Sequence, residues 1–297
     1  MSPGLQVAII ADDLTGAIDT AAPFATAGLS TLVRHGAPDS VTQPYPDVLA
    51  SSTDSRHVVP EVAARRVEAA VRSLLGAAPA IWLKKIDSTL RGNVAAEILS
   101  ALRASGRRHV LVAPAAPGQG RTVRGGEVFV DGVALRDTEF ARDGAAPAAG
   151  PPLQRLLESP GQDLDLHVWT SGAPLGLAVG GGRHGYVADA ASDADLDHVA
   201  AFALAHRDDI LIVGSSGIGA ALARRLVRPG PVRAGTAAPR PAINGRTLFV
   251  IGSRTGVSAE QIARLRAGGV AEILVPTAAC ETDWRTPLPL EPSDDSA

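Results

Sequence analysis

The chain has 297 residues, of which 45% are hydrophobic and 20% charged, and its net charge is −3. These figures suit a globular protein of one large or two ordinary domains, and they exclude a basic nucleic-acid footprint. No apolar run reaches the roughly 18 to 20 residues of a membrane span, the first residues lack the basic start of a signal peptide, and Cys280 alone cannot form an internal disulfide. A cytoplasmic protein is the expectation. With aromatics at only 3%, the core must be built mainly from Ala, Val, Leu and Ile.

Short β-branched runs alternate with alanine- and leucine-rich helical segments, which predicts α/β architecture around a mostly parallel sheet. LQVAIIA (5–11) reads as a buried first strand, and Thr15 to Ala27 as a helix stopped by Gly28. Strands follow at Ser30–Arg34 and Asp47–Ala50. A helix over 60–75 starts at Pro60 and repeats Val62, Val67, Val71 and Leu74 along one face. IWLKK and HVLVA (109–113) are strands flanking a helix at about 93–104. From about 114 to 150 the chain turns to Gly, Pro and Arg and reads as irregular, a length of loop that is often functional. A short helix near 152–158, strands near 165–169 and at YVADA, a helix over Asp193–His206, the strand ILIV and a helix over Ile218–Val227 complete this part.

Residues 229–245, rich in Pro, Gly and Ala, form the best linker, separating a domain over 1–228 from a smaller one over 246–297. In the smaller part, TLFVI (247–251), a helix from Ser258 to Ala267 and EILV (272–275) suggest a single βαβ unit, with Ser258 and Gln261 as a capping box. About 50 residues with one helix bury little core of their own, so this second α/β domain reads as incomplete.

Chemistry gathers at the carboxyl ends of predicted strands, where open α/β sheets bind ligands. Asp12 and Asp13 follow the first strand. Two carboxylates there can hold magnesium, bind hydroxyls or take a proton from an attacking hydroxyl, although one of them could simply cap the next helix. Ser52-Thr53-Asp54-Ser55-Arg56 follows another strand; alone, a solvated turn explains it equally well. The most specific segment runs from Lys84 and Lys85 through Asp87, Ser88 and Arg91-Gly92 to Asn93, a strand leading to a helix N-terminus that favours an anion. Arg91 can grip a carboxylate bidentately, and a lysine offers a compact charge to a phosphate. Only two of the 28 basic residues are lysines, and they stand side by side here. The segment PAAPGQGRTVRGG could wrap a ligand, with Arg121 and Arg124 as anion contacts, or serve as an ordered structural loop.

Two glycine turns complete the survey. Gly214-Ser215-Ser216-Gly217-Ile218-Gly219 invites a dinucleotide reading, but the usual spacing is not met and no acidic strand end follows at the right distance. A tight strand-to-helix turn is expected instead. Gly252-Ser253-Arg254-Thr255 follows a predicted strand and suits a phosphate or ribose. The seven histidines show no metal-ligand spacing along the chain.

Taken together, IADDLTGAIDTA, TDSR, KKIDSTLRGNVAAE, APAAPGQGRTVRGG with FVDGVAL, YVADAASDADL and ILIVGSSGIGAAL resemble the four-carbon acid sugar kinase family, whose members include threonate, erythronate and 3-oxo-tetronate kinases. The resemblance covers most of residues 5–226, and FVIGSRTGVSAEQIARL is similar to the start of that family's nucleotide-binding domain. It implies a two-domain kinase taking a sugar acid and Mg2+-ATP, with Asp12, Asp13, Ser55, Arg56, Lys84, Lys85, Asp87, Ser88, Arg91, Gly92 and Arg121 on the substrate side. Arg91 or Arg56 would meet the substrate carboxylate, Lys85 the phosphoryl group, and Asp13 or Asp87 would be the base. Gly252, Ser253 and Thr255 would contact nucleotide. Family members continue into glycine-rich elements that complete the ATP site, whereas this sequence closes on TDWRTPLPLEPSDDSA. The expectation is therefore a C-terminally shortened member with poor nucleotide affinity, either a kinase or a catalytically silent sugar-acid-binding remnant. A homodimer or a second chain would be the ways to complete the ATP site.

Overall fold

The computed structural model describes residues 4–36, 44–142, 153, 157, 164–170, 173, 175–177, 182–227, 247–252 and 256–272. The chain divides into two compact units, Met1–Ala238 and Pro239–Ala297.

The first unit is an eight-stranded sheet in the order β2-β3-β1-β4-β11-β5-β10-β9, with every neighbouring pair parallel. Its strands are β1 (Val7–Ala11), β2 (Thr31–His35), β3 (Val48–Ser52), β4 (Ile81–Lys85), β5 (His109–Ala113), β9 (Leu164–Thr170), β10 (Arg183–Asp189) and β11 (Ile210–Gly214). β1, β3, β4, β5 and β11 are buried at every residue, as strands covered on both faces must be. Helices α2 (Pro60–Leu74) and α3 (Val94–Ser105) pack on each other along one face. On the other face α5 (Ser216–Arg225) packs between α1 (Leu14–Thr26) and α4 (Asp193–Ala205). The core is aliphatic, as composition requires, with Phe24 and Trp82 its aromatic exceptions near the centre.

The connections fix where a ligand can sit. From β1 the chain runs outward to β2 and returns through β3, while from β4 it runs the opposite way to β5. Adjacent strands β1 and β4 therefore send their connections in opposite directions, which opens a crevice above their carboxyl ends.

The irregular stretch expected from about 114 is not irregular as far as Arg142. It contains a three-stranded antiparallel sheet, β6 (Arg121–Arg124), β7 (Glu127–Val130) and β8 (Val133–Ala134). Each hairpin closes through two residues at positive φ, Gly125-Gly126 and Asp131-Gly132, the conformation that matches strand twist in a two-residue loop. The Asp189 carboxylate at the end of β10 accepts hydrogen bonds from the Gly125 and Gly126 N–H groups at 2.7 and 2.9 Å, which ties this small sheet to the large one. Of the helix expected near 152–158, Leu153 and Leu157 are described, and both are buried.

In the second unit, helix α6 spans Gly256–Ala267. It starts two residues before the expected Ser258, so Ser258 lies inside the helix and the expected capping box is not its start. The expected strand at 247–251 is not formed. Leu248 and Val250 are exposed and, among the described residues, no strand pairs with them; a lone strand has no ladder to complete. Residues 273–275 of the expected last strand lie outside the described residues. Among the described residues no helix is long and apolar enough to cross a membrane.

Candidate functional site

Asp12 and Asp13 emerge from the end of β1, Arg56 from the turn after β3, and Lys85 and Asp87 from the end of β4, so three strand ends converge on the crevice. Backbone bonds hold the turns together. Thr53 N–H donates to Ala11 O at 2.8 Å and Ser55 N–H to Asp12 O at 2.9 Å, which stitches the β3 turn to the end of β1.

Arg56 is the hub. Its Nε donates to Asp12 Oδ2 at 2.6 Å, its NH2 lies 3.0 Å from Asp13 Oδ1, and the same nitrogen lies 3.8 Å from Asp87 Oδ1. Burial alone would lower the guanidinium's pKa, but the hydrogen bond and charge of Asp12, with the charges of Asp87 and Asp13, raise it above the ordinary arginine value. Asp87 in turn receives Arg91 bidentately, Nε to Oδ2 at 2.8 Å and NH2 to Oδ1 at 3.1 Å, and also accepts from the Thr89 hydroxyl. Burial works against ionisation of Asp87. The hydrogen bond and charge of Arg91, then Arg56 and Thr89, outweigh it and hold the carboxyl well below the usual carboxylate range.

The adjacent lysines part company because successive strand residues face opposite ways. Lys85 points to the α1 side, and its Nζ donates to Ile86 O at 2.8 Å. Burial pushes this ammonium below the ordinary lysine value, against the pull of Asp12, Asp87 and Asp13. Gly16 makes room for it: a Cβ there would lie 2.4 Å from Asp13 Oδ1 and 2.9 Å from Lys85 Nζ. Asp13 is also the cap of α1, accepting from Gly16 N–H at 2.9 Å. The capping reading of the aspartate pair thus applies to Asp13.

Lys84 faces the α2–α3 side. It is completely buried, 2.7 Å from Glu97 Oε2, and donates to Lys85 O at 2.6 Å. Glu97 Oε1 accepts from Ser55 Oγ at 2.7 Å, and Ser55 Oγ lies 2.6 Å from Thr53 Oγ1. The structure therefore turns Lys84 and Ser55, expected on the substrate side, into an internal scaffold beneath the crevice, where the strand alternation and Glu97 hold them. Asn93 extends it, donating to Ser55 O at 2.9 Å and Val58 O at 2.7 Å.

The expected Gly92 has a clear reason. Its φ is +86°, and a Cβ would lie 3.0 to 3.3 Å from Arg56 atoms, so only glycine lets the β4 turn close against the hub. Asp54 and Leu90 flank the same turns at positive φ without being glycine, a strained conformation that clusters at ligand sites. Ser88 is half-buried within the β4 turn. Arg121 reaches the cluster through Phe140: the guanidinium carbons of Arg91 and Arg121 each lie 5.8 Å from that ring's centroid. Asp12 Oδ1 is buried with no hydrogen-bond partner, an acceptor whose lone state costs about 1–3 kcal/mol until a donor or cation meets it. Three carboxylates interleaved with Arg56, Lys85 and Arg91 can bind hydroxyls and an anion side by side.

Of the nucleotide-side residues, Gly252 is exposed, and Ser253 and Thr255 lie outside the described residues. Read from sequence alone, Glu97 and Phe140 carry no role, and Thr89 and Asn93 stand in the β4 segment without one. The i,i+3 position of Glu97 on an otherwise buried face of α3 was the one signal for it.

Comparisons with known proteins identify the family and the fold. The family described as the sugar-binding N-terminal domain matches residues 7–222. A D-threonate kinase of Cupriavidus necator is 38% identical over 93% of this chain and 68% of its own length. A D-erythronate kinase of Heliobacterium modesticaldum is 33% identical over 86% of this chain and 59% of its own length. A Bordetella bronchiseptica protein of unknown function, crystallised with bound citrate as a domain-swapped dimer, superposes with a TM-score of 0.63 at 31% identity, over 91% of this chain and 66% of its own.

Proposed function

Because this chain belongs to the four-carbon acid sugar kinase family, with residues 7–222 matching the sugar-binding N-terminal domain, we propose that the cluster above β1, β3 and β4 binds a four-carbon sugar acid and presents one hydroxyl for phosphorylation by ATP. The observation that carries the reading is the hub of Arg56 among Asp12, Asp13 and Asp87, with Lys85 and Arg91 beside it. A sugar acid is a row of hydroxyls ending in a carboxylate. Alternating carboxylates and cations are its complement, and the citrate bound by the Bordetella relative is also a carboxylate.

The geometry favours particular roles. Asp12 Oδ1, buried and unpartnered, accepts a substrate hydroxyl. Asp13 is the better base, because both oxygens of Asp87 are engaged by Arg91 and its carboxyl is held in the weakly basic range. In this reading Arg91 and Arg121, joined through Phe140, meet the substrate carboxylate, and Lys85 meets the transferred phosphoryl group. Phosphoryl transfer needs positioning and charge more than covalent chemistry, which suits such a preformed cluster. Three carboxylates already balance three cations here, so Mg2+ would come with the nucleotide phosphates. We assign sugar-acid binding to residues 1–228 and nucleotide binding to 246–297, with Gly252, Ser253 and Thr255 as its contacts and 229–245 as the linker.

Calorimetric titration of the chain with D-threonate, D-erythronate and Mg2+-ATP, followed by a coupled ADP-release assay, tests this. Binding of a sugar acid with sugar-acid-dependent ADP release is expected. Sugar-acid binding without ADP release would reduce the reading to binding alone. No binding of either acid would overturn it.

A further inference from the structure

The active cluster lies at the carboxyl ends of the strands; at their opposite ends the sheet register gathers histidines that are far apart in the chain. His184 on β10 is paired with Asp165 on β9 and with His109 on β5. His167 lies two residues beyond Asp165, so all four side chains leave the same face. Asp165 Oδ2 is 3.1 Å from His167 Nε2 and 3.6 Å from His184 Nδ1. One donor atom from each of the three residues lies within 4.8 Å of the other two.

We propose that Asp165, His167 and His184 bind a divalent transition-metal ion, zinc being the best match, across strands β9 and β10. Three observations support it. Ligand atoms about 2.0–2.2 Å from a tetrahedral zinc stand roughly 3.3–3.6 Å from one another, and the two spacings from Asp165, 3.1 and 3.6 Å, lie close to that range. Two imidazoles and one carboxylate are a donor set that zinc prefers over magnesium or calcium, which take oxygen ligands.

The third observation separates a metal site from a simple ion pair. An Asp165–His167 pair accounts for those two residues, but His184 Nδ1 is buried without a hydrogen-bond partner, and a metal ion would satisfy it. His109, buried with its ring centroid 5.7 Å from that of His184 and tilted by 35°, backs the site from inside. Asp165 and His167 are more than 45% exposed, so an ion reaches the site without unfolding, and a fourth coordination position faces solvent. Because β9 is the edge strand of the sheet, the ion would clip that edge to β10.

The test uses the full chain without a histidine tag, stripped with chelator and titrated with zinc chloride by calorimetry, then loaded with cobalt(II). One equivalent of zinc is expected, together with the intense visible absorption of a four- or five-coordinate cobalt site. Asp165→Asn and His167→Gln, both exposed substitutions, should each weaken binding by at least the roughly 10- to 100-fold cost of losing an outer-shell partner. Binding below one equivalent, or equal affinity in parent and both variants, would overturn the proposal. Should a variant lose its far-ultraviolet dichroism, the parent's cobalt spectrum decides, and the weak absorption of six-coordinate cobalt would sink the site.

Discussion

Strands β4 and β11 lie side by side, run parallel, and each passes into a helix through a turn bearing glycine. After β11, the turn Gly214-Ser215-Ser216-Gly217 is uncharged. A Cβ at Gly214 would meet Ala113 O at 2.2 Å and one at Gly217 would meet Ala115 O at 2.3 Å, while Ser215 Oγ donates to Ala115 O at 2.9 Å. Those glycines let α5 seat against the β5 loop, as a tight turn should, and no nucleotide is needed to explain them. After β4, the turn carries Lys85, Asp87 and Arg91 into a charge cluster, and its Gly92 closes on Arg56, against the side chain's Cγ as well as the backbone carbonyl. The lesson is that a strand-end glycine marks a close approach of backbone, and only the charge beside it says whether a ligand is the reason.

The hardest way to break the contrast is to remove the hub. Arg56→Ala leaves Asp12, Asp13 and Asp87 facing one another, which should cost about 3–5 kcal/mol of stability, as uncompensated buried charge does. Urea unfolding checks the stability, and calorimetry should show sugar-acid binding lost. A variant as stable as the parent would mean the cluster is solvated and no different in kind from the β11 turn. Lys84→Met comes next. With Glu97 left unpaired, a loss of about 3 kcal/mol is expected. The double variant Lys84→Met, Glu97→Leu should recover most of it, because a buried pair replaced by apolar side chains is often near neutral. Sugar-acid affinity of the folded double variant should change little if Lys84 is scaffold.

Asp87→Asn should act through pH. The folded carboxyl is held below its unfolded value by Arg91 and Arg56, so its contribution is fully present above about pH 4 and fades as pH falls through the folded value. The variant should be less stable by about 2 kcal/mol near neutrality, the scale of a hydrogen bond to a charged group. Urea midpoints measured from about pH 7 to about pH 2 should show the gap between the two proteins narrowing below about pH 4. Parallel curves would show that Asp87 is not held low.

Much of this was legible in the sequence for definite reasons. The parallel strands are continuous apolar runs, so they announce themselves, and polar clusters at their carboxyl ends point to one edge of the sheet. Even the parting of Lys84 and Lys85 follows from the two-residue period of a strand. The β6–β8 sheet was readable but missed: RTVR and EVFV flank Gly125-Gly126, and Asp131-Gly132 follows, both two-residue hairpin signals hidden by the run of Gly and Pro before them. The partner of Glu97 and the histidine cluster were out of reach for another reason. Glu97 finds Lys84 only once its helix packs on the sheet, and His109, His167 and His184 meet only through strand register, which spacing along the chain does not encode.

The smallest change sharpens the comparison most. Gly217→Ala and Gly92→Ala each add one methyl group beside a strand end, and each should cost about 1–2 kcal/mol, the first by overpacking against Ala115 O and the second by forcing a side chain to positive φ. Their stabilities will not tell them apart; their ligand affinities will. Above β11 the added methyl pushes on a neutral carbonyl remote from the charges, so the folded protein should bind a sugar acid as the parent does. Above β4 it pushes on Arg56, and any shift of that hub disturbs its ion pairs with Asp12 and Asp13 and its approach to Asp87. Sugar-acid affinity should therefore fall several-fold in Gly92→Ala and stay level in Gly217→Ala. Equal affinities would place the ligand somewhere other than the β4 turn.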